Sequence, residues 1–463
     1  MKKAIAFSLM TLLVVSFVTI GAVAQDSGSA IETDEDALFG SEEDMFSDPI
    51  IEDVEDAEDA GTTSGTPGTS LLVSEAVEIG GRYSFQVQTS AGWDDPTAVF
   101  TDPFSSDSLS MSTSLSTRLF FDARPDENFR VFGKMTASYP FETNDAAGRE
   151  LQDVFHVEEL FSDFNWNDKV FFRGGKQTLN WGVGYFYSPA DLLNIAEIDP
   201  EDPEAELEGP VALRANIPLG VDNLYFYALP TAGDEPFDIG LAAKGEIVVG
   251  PGEIGAGVIY QRDVSPAGMV TVSTSFGDFD LFGEGVLSYG SNRTFVVETQ
   301  TPPGLETEDR NEEFFFNATT GFRWSDAVGD TSSTVSVVAQ YLYNGEGYSD
   351  PSIIADNPAG VGALLFGGDL STSDLRNTGK HYTATNAGWS DLFGSEINAS
   401  VLWIQNYSDM SAMVTPSLSR TIVDKVNLTL SVPMMFGEEG DEFAPFGDSL
   451  SLRMSLSLGG GSF

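Results

Sequence analysis

Two histidines, His156 and His381, and no cysteine occur in the 463 residues, so the chemistry open to this chain is narrow. A thiolate or two-histidine metal site and a Ser-His-Asp relay have almost no material. His156, Glu158 and Ser162 share one phase of a strand pattern, which reads as chance polar placement. The 72 Asp and Glu residues supply carboxylate pairs everywhere, but abundance without spacing is not a glycosidase constellation. Gly459-Gly460-Gly461 leads into no helix, so there is no phosphate-cradling loop. A net charge of −50 opposes nucleic acid. The residues describe no enzyme and require no cofactor.

What is sorted is charge. Arg82, Arg118, Arg130, Lys134, Arg173, Arg214, Lys244, Arg323, Lys425 and Arg453 all fall on the polar phase of period-two runs, none in the middle of an apolar phase. Asp163, Glu246, Glu253, Asp280, Glu284, Glu313 and Glu396 share that phase, so the polar face carries both signs. The remaining acid is concentrated between the runs. Asp191 to Glu208 holds eight carboxylates and no base, and Glu438 to Glu442 adds four. Such segments are ordinarily solvated loops. Two sharper readings are a surface Ca²⁺ or Mg²⁺ site, since hard cations take oxygen ligands, and an inward fold against the basic face that narrows a passage. No calcium-loop spacing is present, so no ligand set can be named.

The elements that position these residues are strands. Tyr83, Phe85 and Val87 alternate with Arg82, Ser84 and Gln86, and Leu115, Leu119 and Phe121 with Ser114, Ser116 and Arg118. About eighteen such runs follow one another to the last, where Leu450, Leu452, Met454, Leu456 and Leu458 alternate with serines and Arg453. Most are near the ~10 residues a tilted strand needs to cross a bilayer. Connectors alternate in length: 90–107 long, 123–128 short, 140–154 long, Asn167-Asp168 short, 179–210 long, 220–222 short, 290–311 long, 326–332 short, 344–379 long, 391–394 short. Around 230–236 and 263–268 the long members shrink. Aromatics near strand ends, from Tyr139 and Trp166 through Trp181, Tyr185, Phe186 and Tyr187 to Trp403 and Tyr407, suit headgroup-level girdles.

The amino terminus reads differently. Lys2-Lys3, an apolar run to Ile20 and Ala22-Val23-Ala24 make a secretory signal peptide, residues 1–24. Residues 25–78 are a disordered acidic tail and a Gly/Ser/Thr/Pro linker, too polar to bury a core. Residues 79–463 are then one all-β domain, an antiparallel up-and-down transmembrane β-barrel of about 16–18 strands. An apolar face turned to lipid explains the sorting of bases, because a charge there costs about 2–4 kcal/mol at the midplane.

One stretch has a more specific look. Gln177, Trp181, Gly182, Gly184, Pro189, Asp191 and Asn194, in the order Gln-x-x-x-Trp-Gly-x-Gly…Pro-x-Asp…Asn, resemble a strand exit found in porin-like outer-membrane barrels. The closing strand ending on Phe463 resembles the signal read by the barrel-assembly machinery, provided a bulge at the glycines restores its phase. The resemblance implies an outer-membrane setting in a diderm cell, contact with its lipid, a periplasmic tail, and a passive conduit for small hydrophilic solutes. A barrel of this size leaves an aqueous channel, with Arg118, Arg173, Arg214 and Arg323 as its expected constriction. The alternatives are a barrel that displays loops 179–210 and 344–379 to a partner, and a secreted soluble adhesin or glycan hydrolase. Oligomeric state is not legible; a trimer and a monomer are equally compatible.

Overall fold

The computed structural model describes residues 77–97, 106–126, 128–140, 155–205, 207–230, 239–262, 264–300, 304–329, 332–423 and 426–462. The expected signal peptide, acidic tail, Lys425 and Phe463 lie outside them. Its strands are β1 (Val77–Trp93), β2 (Ser108–Asp126), β3 (Phe129–Pro140), β4 (Phe155–Trp166), β5 (Val170–Lys176), β6 (Val211–Leu219) and β7 (Asp222–Pro230). Then come β8 (Ile239–Val249), β9 (Gly252–Gln261), β10 (Val264–Phe276), β11 (Phe279–Tyr289), β12 (Thr294–Glu298), β13 (Leu305–Asp309), β14 (Phe314–Ala327) and β15 (Thr334–Tyr343). The last are β16 (His381–Ser390), β17 (Ile397–Asn406), β18 (Ala412–Val423), β19 (Val426–Ser431), β20 (Met434–Phe436) and β21 (Ser449–Ser462).

All the strands pair antiparallel; β12 and β13 form a two-stranded sheet of their own, and in the large sheet β21 returns to β1, so that sheet is closed. β19 and β20 both lie between β18 and β21 and form one stave interrupted at Val432-Pro433. Proline cannot donate to a ladder, and the break falls where it sits. The result is an all-β barrel of 18 strands. At the seam Tyr83 pairs with Gly461 and Ser84 with Gly459, so Gly460 is bulged out. That is the phase correction the glycine run requires. Closure pairs β21 on both sides, which removes the aggregation hazard of a one-faced terminal strand.

The two faces of the wall are unlike. Leu109 is 80 % exposed and Leu241 58 %, with Ile254, Val258, Val270, Val272, Leu287, Phe316, Leu452 and Met454 also outward. On β8 the exposed Leu241 alternates with buried Ala242, Lys244 and Glu246. A soluble β protein would place those leucines and valines inside. Here they form a continuous apolar band, so the barrel spans a membrane with its strands. Among the described residues no helix is long and apolar enough to cross one.

Connector length segregates by rim. One rim carries tight turns such as Asn167-Asp168, both in the left-handed conformation that a two-residue hairpin requires. The other carries 177–210, 290–313, 344–380 and 437–448, although β9 and β10 are joined there by only two residues. Two of these long connectors are folded rather than loose. The β12–β13 hairpin packs Val296 and Leu305 on Val361, Leu364 and Leu370, around a helix Pro358–Gly367 that the sequence reading treated as loop. The Arg293 guanidinium donates to the carbonyls of Asp374 (2.5 Å), Arg376 (3.0 Å) and Asn377 (3.1 Å), fastening the two connectors together. Connector 437–448 is tied inward through Glu442, whose carboxylate accepts from Tyr382 Oη (2.6 Å), Asn406 Nδ2 (2.9 Å) and Thr378 Oγ1 (3.1 Å).

Candidate functional site

Connector 177–210 does not stand out in solvent; it runs through the inside of the barrel. Its stem is held by the polar residues of the Gln-x-x-x-Trp-Gly-x-Gly stretch. The Gln177 amide donates to the Ala212 carbonyl (3.0 Å), and Asn194 takes the Leu179 N–H (3.0 Å) while giving its own N–H₂ to the Leu179 carbonyl (2.6 Å). Asn194 thus serves Leu179 as an adjacent strand would. Lys176 donates to Glu208 (2.6 Å) and closes the base of the segment. Gly182 and Gly184 sit where a Cβ would collide with Ser188 Oγ and the Tyr187 carbonyl, so only glycine allows the chain to double back.

The doubled-back tip is wedged between opposite walls. Trp181, fully buried, meets Tyr227 edge-on at 5.4 Å in a cluster with Tyr225, Ala242, Met269 and Val286. Phe186 and Tyr187 pack against Val338, Leu342, Tyr382, Ala384 and Ile404. Trp181, Tyr185, Phe186 and Tyr187 are therefore not headgroup girdle residues, a correction with a plain cause: their side chains fill the interior. Tyr139, Trp166, Tyr289, Trp403 and Tyr407 do lie exposed on the outside.

Two wall residues fix the tip. Glu284 on β11 accepts from the backbone N–H of Val183 (2.5 Å), Gly184 (2.6 Å) and Ala190 (2.9 Å) and from Ser188 Oγ (3.0 Å). Gln340 on β15 accepts from the N–H of Tyr185 (3.1 Å) and Phe186 (2.7 Å) and donates to the Tyr187 carbonyl (2.5 Å). Both carboxylate oxygens of Glu284 are engaged by donors and no cation is needed. Asp191, in the turn after Pro189, accepts from Asn194 (2.8 Å), and burial pushes its carboxyl up to about 7.

The basic residues divide into two sets. Arg118 pairs with Glu158 (3.0 Å), Arg130 with Asp122 (3.0 Å), Lys134 with Glu159 (3.2 Å), Arg173 with Asp163 (2.7 Å), and Lys244 with Glu246. Arg130, Asp163, Arg173 and Arg214 lie in register across β3 to β6, a charged row on one wall. Arg214 is only 6 % exposed, beside the Tyr225 ring at 5.8 Å. The second set faces the acidic segment. Arg323 lies over the Tyr185 ring at 5.3 Å, and Tyr185 Oη donates to Glu204 (3.0 Å). Arg453 is near Glu201, whose carboxyl burial raises and Arg453 draws back down. Of the four arginines expected at a constriction, Arg323 meets the segment, while Arg118, Arg173 and Arg214 stand on the β2–β6 wall. Arg82 lies at the seam, in register with Arg118.

Sequence reasoning put Glu284 on the polar phase without a role, and missed Gln340, Tyr225 and Tyr227. A lone amide within Val-Ser-Val-Val-Ala-Gln-Tyr-Leu was the available signal for Gln340. Among the described residues no group of three or more His, Asp or Glu is placed to hold a metal ion.

No protein-family model matches the chain, and no curated protein matches it either. Solved structures do. OccAB1 of Acinetobacter baumannii is 10 % identical, with 82 % of this chain and 96 % of that one covered at a TM-score of 0.48. OpdK of Pseudomonas aeruginosa, crystallised with vanillate, is 8 % identical over 83 % and 99 %, TM-score 0.45. A BenF-like porin of Pseudomonas fluorescens Pf-5 is 10 % identical over 83 % and 98 %, TM-score 0.45. This chain is similar to them in barrel architecture.

Proposed function

We propose that the chain forms a water-filled channel across an outer membrane, through which small hydrophilic solutes diffuse passively. The observation that carries this is the 177–210 segment, pinned by Glu284 and Gln340 inside a barrel whose apolar face is turned outward. A barrel of this strand number is wide enough for water, and a segment fixed across it sets the width of what passes. Carboxylates on the segment (Glu201, Glu204) face Arg453 and Arg323 on the wall, so a solute crosses between opposite charges that orient its dipole. Because the segment holds eight carboxylates and no base between Asp191 and Glu208, the passage favours cations over anions.

The test is single-channel recording of the full chain in planar bilayers. Stepwise conductance is expected, with a reversal potential of cation-selective sign in a KCl gradient; an absence of conductance overturns the reading. The second reading, a barrel that displays its outer connectors, is favoured by one observation: connectors 290–313 and 344–380 have a core of their own. A conductance-silent barrel with that cap intact would support it. In either case β21, with its alternating face and bulged Gly460, is the strand the barrel-assembly machinery would read.

A further inference from the structure

The lumen carries its two signs at different heights. Strands β3 and β5 start from the tight-turn rim; Arg130 is the second residue of β3 and Arg173 the fourth of β5. Arg124 stands third from the end of β2, at the same rim. These three guanidinium groups share two carboxylates, Asp122 and Asp163, which are 3 % and 1 % exposed. Arg124 meets Asp122 at 3.1 Å, Arg130 meets Asp163 at 3.8 Å as well as Asp122, and Arg173 meets Asp163. Arg214 is the register partner of Arg173 on β6, and among the described residues it has no carboxylate within ion-pair reach. Four bases thus stand with two acids along β2 to β6. Elsewhere on this half the signs are matched: Lys244 by Glu246, Arg420 by Glu396 (3.2 Å), and Arg323 by Asp280 across the β11–β14 register.

The connector side is the reverse. Glu208 at the base of the inner segment pairs with Lys176, but among the described residues Glu197, Asp199, Asp202 and Glu204 have no basic side chain within ion-pair reach. All four are exposed. Above the tip, Glu346 accepts from Ser291 Oγ (2.5 Å) and Asn317 Nδ2 (3.1 Å), both neutral. Arg293 and Asp374 lie side by side there and offset one another. The excess is therefore negative from the connector rim down to the tip of the segment, and positive between the tip and the tight turns. Such an axial division is distinct from the transverse pairing of Glu204 with Arg323.

We infer that the passage is a rectifier, carrying more current when its connector side is the positive one. With that polarity the field drives cations in through the acidic half and anions in through the basic half, so both accumulate where the halves meet. Reversed, both are drawn away and the junction is depleted. Fixed charges act on the ions within a Debye length, about 10 Å at 0.1 M salt and about 3 Å at 1 M. The inference rests on the channel reading, and its failure is separable from that reading's. The experiment is the current–voltage curve of single channels of the full chain in bilayers, with the same KCl concentration on both sides. Orientation is read from biotin at Ala359→Cys, an exposed position of the cap helix in a chain without cysteine, as the chamber from which streptavidin alters the current. The expected ratio of currents at opposite voltages is about two or more in 0.1 M KCl, falling toward one in 1 M. Arg214→Gln should lower it from the basic end, and Glu197→Gln with Glu201→Gln from the acidic end, where the side chains are exposed and folding is not at stake. Open channels with a straight current–voltage line, with the opposite sense, or with a ratio indifferent to salt overturn the polarised passage and leave the channel. Absence of conductance removes the channel, and this property with it.

Discussion

Glu284 is the side chain on which most depends. Its carboxylate is the shared acceptor for three backbone donors and a hydroxyl, and orphaning a buried donor costs about 1–3 kcal/mol, less where water reaches it. Glu284→Ala is therefore expected to loosen the tip of the inner segment. The barrel should still form, with a larger and flickering single-channel conductance. Unchanged traces would mean that the segment does not set the width. Gly184→Ala acts on the same tip by collision with the Tyr187 carbonyl, and should mimic that phenotype. Asp191 gives a pH signature. Its carboxyl titrates near 7 when packed and near 3.8 when released, so the packed segment binds the proton more tightly. That contribution is full below about pH 4 and lost as pH rises through 7. Melting temperature should fall across that window, and Asp191→Asn should flatten the slope. Glycines 182 and 184 and Asn194 were visible in the sequence because close turns demand those residue types. The partners of Glu284 were not, since nothing local marks an acceptor for donors a hundred residues away.

At the level of strands and connectors, periodicity was a reliable guide. The alternation of Leu450 to Leu458 with serines and Arg453 corresponds to β21, and that of Leu115, Leu119 and Phe121 with Ser114, Ser116 and Arg118 to β2, because a lipid-facing side chain on every second position is a physical requirement. The stave of β19 and β20 is harder to read, since Pro433 divides it in two. The cap was illegible for a different reason. Its helix, Pro-Ala-Gly-Val-Gly-Ala-Leu-Leu-Phe-Gly, is short, glycine-containing and apolar on all sides, so no helical stripe stands out. Leu364→Asp places a charge in the cap's small core. It should make 344–380 sensitive to added protease while the barrel's heat-modifiable migration on a gel is retained. Loss of both together would show that the cap and the staves fold as one unit.

For the molecule as a whole, the division between an oily exterior and a wet interior dictates where substitutions can be borne. Leu452→Arg, on the outer face, should destabilise the barrel by about 2–4 kcal/mol if it falls near the midplane. Ser455→Arg, on the inner face beside Gln86, should be tolerated and reduce cation preference. Denaturant unfolding from vesicles measures the first and reversal potential the second. Fold class was legible at this scale because every strand repeats the same statement. The inward course of 177–210 was one of three readings, beside a solvated loop and a divalent-cation site, since acid-rich loops look alike whether they face solvent, a cation or arginines.

That course has an implication for the order of events during biogenesis. Val183 and Gly184 reach Glu284 across 101 and 100 positions of sequence, and Tyr185 reaches Gln340 across 155. The obstruction therefore has no mooring until strands made much later have taken their places. Seating of the segment is therefore a late event of assembly, and the proposed channel cannot reach its final width before β11 and β15 are in place. Conductance followed from the moment of insertion should begin high and settle downward.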